Sequence, residues 1–254
     1  AARMIKLLAS ARDWGREVCL LAVGKAGQNM PFALGILDEF VPGRPEEAVQ
    51  ITEEQQRLAA LTGTALLELR VHERATESEK ARLVQTRTAR WLVNILQTGR
   101  LPAQERAEAG NILARLGDPR FRTDAFYLPD EPLLGFIHIP AGRFTMGSDK
   151  KKDPQADGIE QPQYEVELGE YYIARYPVTV AQFKAFVEAS KYKPQDPRSL
   201  GGLPNHPVVS ITWYDALAYC NWLTELLSNG FSLTGEIAEQ VALGWRIPVA
   251  TVPS

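Results

Sequence analysis

Aromatic residues and prolines are distributed unevenly along this chain of 254 residues, and this asymmetry constrains its fold more than any single motif. Residues 1–120 contain four aromatic residues and no tyrosine, whereas residues 121–254 contain the other eighteen. Five prolines lie in the first stretch and twelve in the second, as expected where helices give way to strands, turns and loops. The sequence therefore predicts two unlike domains that divide near residues 118–133.

Local signals mark the predicted boundary. Gly117-Asp118-Pro119 closes a helical pattern, and Leu128-Pro129-Asp130-Glu131-Pro132 follows, where prolines disfavour helix and keep the chain extended. We assign residues 1–120 to a helical scaffold, 121–133 to a linker and 134–254 to a second domain.

Apolar residues recur at helical spacing in the first domain, over residues 57–69, 90–96 and 102–116. Gly117 is well placed to cap the last of these helices. Short helices joined by loops favour a HEAT-like superhelix, although no strict repeat aligns. Such a region is either a protein-binding scaffold or a spacer, and the sequence does not separate the two.

In the second domain, the spacing of the apolar residues changes from the helical period to the two-residue alternation of strands. Residues 136–139 and 143–148 are predicted to pair as a hairpin, and 164–168 and 171–173 are predicted to be strands of the same sheet. Two helices should follow, each starting at a capping signature: Thr179 with Gln182, and Thr212 with Asp215. The predicted fold class is therefore α+β.

Composition excludes several function classes. With 45% hydrophobic and 23% charged residues the chain is globular, and a net charge of -3 favours neither nucleic acid nor an anionic membrane as a partner. The apolar run at residues 18–23 is far shorter than a membrane span. Two cysteines, Cys19 and Cys220, are too few for a disulfide scaffold and fit a reducing, cytoplasmic compartment.

Three blocks in the second domain resemble the formylglycine-generating enzyme family, also called the sulfatase-modifying-factor family. The blocks are Ile139-Pro140-Ala141-Gly142-Arg143-Phe144-Thr145-Met146-Gly147-Ser148, then Tyr176-Pro177-Val178-Thr179 followed by Phe183 and Phe186-Val187, then Asn205-His206-Pro207-Val208-Val209-Ser210-Ile211-Thr212-Trp213-Tyr214-Asp215-Ala216 running into Ala218-Tyr219-Cys220-Asn221-Trp222-Leu223. The resemblance implies a variant of the C-type lectin fold. It also implies calcium positions and a cysteine pair that binds copper and oxidises a substrate cysteine.

The chain departs from the family pattern at two places. Tyr164 stands where the family usually has histidine, and Arg246-Ile247-Pro248 begins a family motif that residues 249–254 abandon. The calcium positions and the cysteine pair belong to segments further downstream in the family. We therefore expect a partial family domain, assign no catalytic, cofactor-binding or metal residue to this sequence, and leave its ligand-binding residues unknown.

A weaker resemblance concerns the first domain. Residues 14–22 and 106–120 are similar to the helical region that joins an NTPase of the NACHT class to a family domain in bacterial proteins. The leading hypothesis is a non-catalytic binding or sensor module, cut from a larger bacterial signalling protein, that takes a protein or peptide ligand. The alternatives are a copper-dependent oxidase whose catalytic part is missing and a ligand-display protein diversified by a retroelement.

Other candidate sites are weak. His72, His138 and His206 are far apart in sequence and predict no metal site. The acidic residues of 149–160 lack calcium-loop spacing and indicate a solvated loop. Both cysteines are interpreted as buried thiols.

Because a partial sheet would expose open edges, we expect association of copies or a weakly stable second domain.

Overall fold

The helices of this protein, seen in a computed structural model, lie mainly in the first half of the chain. The structure describes residues 12–74 and 78–228, so the family motif that begins at residues 246–248 and the predicted departure at residues 249–254 lie outside it. The α-helices are α1 (Arg12–Ala26), α2 (Met30–Phe40), α3 (Glu53–Glu68), α4 (Val71–Arg74), α5 (Glu79–Thr98), α6 (Ala103–Leu116), α7 (Val180–Ser190) and α8 (Trp213–Ser228). The strands are β1 (Phe121–Arg122), β2 (Leu128–Pro129), β3 (Phe136–Ile139), β4 (Gly142–Met146), β5 (Tyr164–Leu168) and β6 (Tyr171–Ala174).

Local capping sets the ends of the helices. At the start of α3, Thr52 Oγ1 accepts a hydrogen bond from the Gln55 N–H, and the Gln55 side chain accepts one from the Thr52 N–H. Gly99 ends α5 with a φ of 63°, in the left-handed region that glycine adopts without strain. Gly117 ends α6 as predicted, and its N–H donates to the Leu113 carbonyl. The three predicted helical segments of the first domain are confirmed.

Helices α1, α2, α3, α5 and α6 contribute to one apolar core. Their apolar residues recur three or four positions apart, which places them on one face of each helix. Fully burying a leucine contributes about 1.5–3 kcal/mol, so this shared core, more than intrinsic helix propensity, holds the short helices in place. The fully buried side chains in it include those of Val23, Leu37, Leu66, Leu92, Ile95 and Leu113. A HEAT-like repeat arrangement stays a prediction.

Close packing of α3 depends on a glycine and a buried amide. A Cβ added at Gly63 would lie 2.6 Å from Cγ2 of Ile112, so this position admits α6 only because it carries no side chain. The fully buried Gln56 donates from Nε2 to Asn94 Oδ1 at 2.9 Å. Helix α3 is thereby fixed against both α6 and α5.

A two-stranded antiparallel ribbon runs over residues 136–146 and 164–174. Strand β3 pairs with β6 from Phe136 opposite Ala174, and β4 pairs with β5 down to Met146 opposite Tyr164. Both pairings keep one register, and Pro140 lies at the gap between them. Since proline has no N–H, it cannot donate to the ladder, and the two halves of the ribbon are separated there.

The predicted hairpin between 136–139 and 143–148 is wrong. Only Pro140 and Ala141 separate β3 from β4, and the two strands follow one another along the same side of the ribbon instead of pairing with each other. A two-residue hairpin turn needs positive φ at its central positions, whereas the proline ring holds φ near -65°. The strands pair with residues 164–174 instead, as the alternating apolar pattern there permits.

The β4–β5 half of the ribbon has one polar and one apolar face. On the polar face, Arg143 Nε lies 3.5 Å from Glu167 Oε2. On the apolar face, Phe144 and Tyr164 are 43% and 50% exposed. The predicted alternation of residues 164–168 is confirmed by the register, whereas the predicted association of copies stays a prediction. The apolar face consists of Gly142, Phe144, Met146, Tyr164, Val166 and Leu168.

Two compact units divide the chain: residues 1–128 with 178–219, and residues 129–177 with 220–254. The predicted α+β class is confirmed, because helices form most of the first stretch and small antiparallel sheets lie in the second. The predicted domain limits stay a prediction. Among the described helices, none has both the length and the apolar character needed to cross a membrane.

Truncating a core leucine should destabilise the helical core. Leu113 is fully buried, whereas Leu83 on α5 is 50% exposed. We expect Leu113→Ala to lower the free energy of unfolding by about 2–5 kcal/mol, because it leaves a cavity among packed helices. Leu83→Ala should change it by less than about 0.5 kcal/mol. Urea unfolding followed by the helical circular dichroism signal measures both, and equal losses would contradict the assigned core.

Candidate functional site

The loop that contains Asn205 and His206 completes the start of α7. The first N–H groups of a helix have no partner within it and need acceptors from elsewhere. Here the Val180 N–H donates to the His206 carbonyl and the Ala181 N–H to the Pro204 carbonyl, both at 2.9 Å. The Val208 N–H also donates to the Val178 carbonyl at 2.9 Å, so the second block of the family resemblance is bonded to the third through backbone groups.

The side chains of this loop contact the end of α6. Asn205 Nδ2 lies 3.0 Å from Asp118 Oδ2 and 3.4 Å from the Gly110 carbonyl oxygen. His206 Nε2 lies 2.9 Å from Asn111 Oδ1. His206 thus orients the loop, and its ring nitrogen is used in a contact with an amide.

Asp118 is a nearly buried carboxylate with a full set of donors. Its side chain is 5% exposed, and Arg120 approaches it in bidentate fashion, with Nη2 at 2.6 Å from Oδ2 and Nε at 2.9 Å from Oδ1. The Arg120 backbone N–H also donates to Oδ1, and Asn205 completes the set. Because a buried carboxylate is stable only when paired and hydrogen bonded, this cluster holds the end of α6 and the loop together.

Asp215 is the second buried carboxylate of this unit. Its Oδ2 accepts from the backbone N–H and the hydroxyl of Thr212, each at 2.7 Å, and its Oδ1 accepts from the Tyr192 hydroxyl at 2.9 Å. The Asp215 N–H in turn donates to Thr212 Oγ1, so the predicted capping box is confirmed. The Gln195 N–H is a further donor to Oδ1.

These hydrogen bonds determine the ionisation of Asp215. Burial by itself raises the pKa of this carboxyl group, but the hydrogen bonds from Thr212, Tyr192 and Gln195 outweigh it and hold the pKa below its ordinary value of 3.8. Burial and the neighbouring carboxylate raise the pKa of Tyr192. The group is therefore a structural anion that orders residues 192–215 and is unsuited to accept a proton near neutral pH.

An aromatic cluster packs beside this carboxylate. Phe183 and Phe186 of α7, at 1% and 2% exposed, confirm the predicted buried face of that helix. The ring of Phe186 lies 5.6 Å from that of Tyr219 in an edge-to-face arrangement and 5.1 Å from that of Tyr192. Tyr192 thus joins the apolar cluster to the buried anion.

The two thiols lie on helices and are not activated. Cys19 on α1 is 1% exposed, and burial raises its pKa from 9.0 to about 11. Cys220 on α8 is half-buried, and burial also raises its pKa. Reactive cysteines need an electropositive and accessible setting that lowers the pKa, so both thiols are protonated at neutral pH.

The remaining candidate side chains do not come together to form a site. His138 Nε2 lies 3.1 Å from Glu170 Oε2 on the surface of the ribbon, and the side chain of His72 lies outside what the structure describes. In the acidic loop, Asp149 and Asp153 accept hydrogen bonds from nearby backbone N–H groups. Within residues 12–74 and 78–228, no group of three histidine, cysteine or acidic residues could hold a metal ion.

Sequence reasoning missed the contacts of Asn205 and of Tyr192. Asn205 lies 87 positions from Asp118, and Tyr192 lies 23 positions from Asp215, so no local pattern joins either pair. The signal that could have drawn attention to Asp118 is its position beside Arg120 just after a helix, since aspartates there often accept nearby N–H groups.

Comparison with known proteins gives a match over the second half of the chain. A family profile described as "Sulfatase-modifying factor enzyme 1-like domain" matches residues 123–251, just over half of the 254 residues. The three blocks that carry the resemblance all lie within this stretch. Residues 1–122, including most of the helical core, lie outside it.

Several curated proteins share this segment. A formylglycine-generating enzyme of Thermomonospora curvata is 31% identical over 141 residues, covering 37% of this chain and 45% of that protein. One of Streptomyces coelicolor is 29% identical over 132 residues, covering 35% and 42%. A serine/threonine-protein kinase of Chlamydia caviae is 31% identical over 118 residues, covering 39% and 18%. The chain spans less than half the length of these relatives.

Replacing the buried carboxylate should destabilise the protein in a pH-dependent way. We expect Asp215→Asn to lower the free energy of unfolding by about 1–3 kcal/mol at neutral pH, because an amide cannot accept all the donors that surround the carboxylate. Since the pKa of Asp215 is held below 3.8 in the folded state, the stabilisation is present above that value and is lost as the pH falls through the folded pKa.

Urea unfolding of the wild type and of Asp215→Asn, measured from neutral pH down to the acid range, gives the loss of stability at each pH. The difference in stability should be largest at neutral pH and should shrink in acid. Asp130 is exposed, so Asp130→Asn serves as the control, and its stability should differ little from that of the wild type at any pH. A loss of stability for Asp215→Asn that does not change with pH would contradict the role assigned to the carboxylate.

Proposed function

This chain belongs to the sulfatase-modifying factor enzyme 1-like family, and from that premise we propose that it is a non-catalytic binding or sensor module. Its ligand is a protein or peptide, and its parent is a bacterial signalling protein of the cytoplasm. Family membership alone does not decide activity, because one fold hosts different chemistries. The proposal therefore depends on what the side chains of this chain can do.

The observation that carries the proposal is the state of the two thiols. The oxidase chemistry implied by the resemblance needs cysteines that ionise and bind copper. A rise from 9.0 to about 11 in the pKa of Cys19 lowers its thiolate fraction at neutral pH about a hundredfold. Cys220 is shifted in the same direction. The sequence contains no other cysteine that could serve as a thiol ligand.

The kinase relative supports the module interpretation. The matched segment covers 18% of a protein named as a serine/threonine-protein kinase, so a segment of this type occurs as a minor part of a protein named for a different activity. The helical residues of this chain lie largely outside the family match and bond to the family segment through Asn205 and His206. This arrangement suits a helical connector that presents a family domain, as in the NACHT-type fusions that residues 14–22 and 106–120 resemble.

A second candidate function is the copper-dependent oxidation of a cysteine side chain. The specific observation in its favour is the 31% and 29% identity to two formylglycine-generating enzymes. The family's cysteine pair belongs to segments further downstream than these blocks, so an oxidase made of this chain alone would have to use Cys19 or Cys220, whose pKa values are raised by burial. The two candidates therefore differ in an outcome that can be measured directly.

An oxidation assay separates the two functions. The purified chain is incubated with a sulfatase-type cysteine peptide, copper and oxygen, and the peptide is examined by mass spectrometry. We expect the peptide to remain unchanged, while the Streptomyces coelicolor enzyme converts it under the same conditions. Aldehyde formation by this chain, lost in Cys220→Ser, would establish the oxidase and refute the non-catalytic proposal.

Thiol reactivity gives an independent prediction. Iodoacetamide reacts with thiolates, so Cys19 should be labelled at least tenfold more slowly in the native protein at neutral pH than in urea. Cys19→Ser and Cys220→Ser, each with one remaining thiol, assign the rates to the two positions. A native Cys19 that reacts as fast as the unfolded one would show that the thiol is accessible and that its pKa is not raised.

A further inference from the structure

Strand β4 forms an open edge of the ribbon. Its inner edge pairs with β5, and among residues 12–74 and 78–228 no strand pairs with its outer edge. All five of its residues, from Gly142 to Met146, are exposed. An edge strand presents a row of unpaired N–H and C=O groups, which are a template for pairing with another strand. The outer edge of β4 is therefore an accessible backbone surface.

The sequence of β4 leaves this edge largely unprotected. Proteins commonly block an edge strand with proline, with several charged side chains or with a bulge. Residues 142–146 contain no proline, and they pair with β5 residue for residue, without a bulge. Their one charged side chain, that of Arg143, lies 3.5 Å from Glu167 Oε2 on the neighbouring strand. Nothing within the strand therefore prevents a further strand from pairing with it.

The outer edge of β5 differs, because it is protected by charge. Glu165 and Glu167 lie on the polar face of this strand, at alternate positions. In a symmetric antiparallel pair of two β5 strands centred on Val166, Glu165 of each copy would lie opposite Glu167 of the other. Centring on either glutamate would place it opposite itself. Like charges directly opposite one another destabilise a sheet, so a second copy suits the β4 edge only.

Charge and side-chain size select one register for two β4 strands. Centring on Arg143 would place two guanidinium groups opposite one another. Centring on Thr145 would shorten the paired segment, because the strand ends at Met146. Centring on Phe144 places Arg143 opposite Thr145 of the second copy. It also places Met146 opposite Gly142, where the space is open, since a Cβ added to this glycine would meet no atom within 4 Å.

This register also keeps the acidic strands apart. The strand order of the joined sheet is β5, β4, β4, β5, so Glu165 and Glu167 of both copies lie on the outermost strands. At about 4.8 Å per strand the two β5 strands are about 14 Å apart, beyond the Debye length of about 8 Å at physiological ionic strength. Pairing β4 of one copy with β5 of the next would reduce the separation to about 10 Å. That pairing also has no closing symmetry.

We propose that β4 is a self-association edge. Two copies of this chain pair antiparallel through residues 142–146, about a two-fold axis at Phe144, and their ribbons form one four-stranded sheet. Backbone hydrogen bonds provide most of the contact, and the Arg143–Thr145 and Gly142–Met146 pairs fix its register. The association does not depend on whether the chain is a module or an oxidase, because it involves neither thiol.

Sedimentation of the full chain measures this association. We expect a reversible equilibrium between monomer and dimer as the concentration rises through the micromolar range. A chain that stays monomeric up to its solubility limit overturns the proposal. Continued growth into larger species also overturns it, because such growth indicates pairing of β4 with β5 of the next copy.

A lysine introduced into β4 tests the register. Thr145→Lys places an ammonium group opposite Arg143 of the second copy, on both sides of the axis, and should weaken dimerisation about tenfold. Within one copy the new side chain faces Glu165, so the ribbon itself should stay paired. Thr123→Lys, exposed and outside the ribbon, is the matched control and should leave dimerisation unchanged. Adding Arg143→Thr to Thr145→Lys removes the repulsion and should restore the dimer. Unchanged dimerisation in Thr145→Lys, or no recovery in the double variant, refutes the register.

Single cysteines identify the strands that meet. In the Cys19→Ser/Cys220→Ser background, Phe144→Cys lies on the proposed axis, and its two copies should be joined by a short bifunctional thiol reagent. Leu168→Cys, exposed on β5, is the control and should not be joined, because it lies on an outer strand. A dimer in which Phe144→Cys fails to cross-link, or in which Leu168→Cys cross-links instead, would place the contact elsewhere and overturn the proposal.

Discussion

The buried carboxylate of Asp118 is the interaction on which the arrangement of this protein's larger unit depends. A nearly buried anion is tolerated only when charged and polar donors surround it, because its loss of hydration costs several kcal/mol. Arg120, two residues after Asp118, provides the positive charge, and Asn205 provides an amide N–H from a loop that is distant in sequence. The end of α6, the loop and the start of α7 are consequently held in one place.

The same cluster explains why a family segment can be tied to a helical region that the family match does not include. The blocks that resemble the family contain Asn205 and His206, and both side chains contact the end of α6. These residues serve here as structural contacts. Under the proposed function, the helices attach the family segment to another protein, whereas the oxidase alternative requires reactive thiols, and burial raises the pKa of Cys19.

Much of the local structure could be predicted from the sequence, because its causes lie within a few residues. The capping boxes at Thr179 and Thr212 and the glycine end of α6 are confirmed, since a cap depends only on side chains three or four positions apart. The hairpin at Pro140 was wrongly predicted from closeness in sequence. The proline ring forbids the turn, and the alternating residues of 164–174 offer a better partner.

The sequence by itself determined the α+β class, the helices of the first half, the apolar alternation of the strands and the family blocks. These follow from periodicity and short-range hydrogen bonding, which a single chain displays directly. Only the tertiary structure decided which strands pair in the ribbon and which donors surround Asp118 and Asp215. Such features depend on groups separated by tens of residues, and only packing against a shared core brings them together.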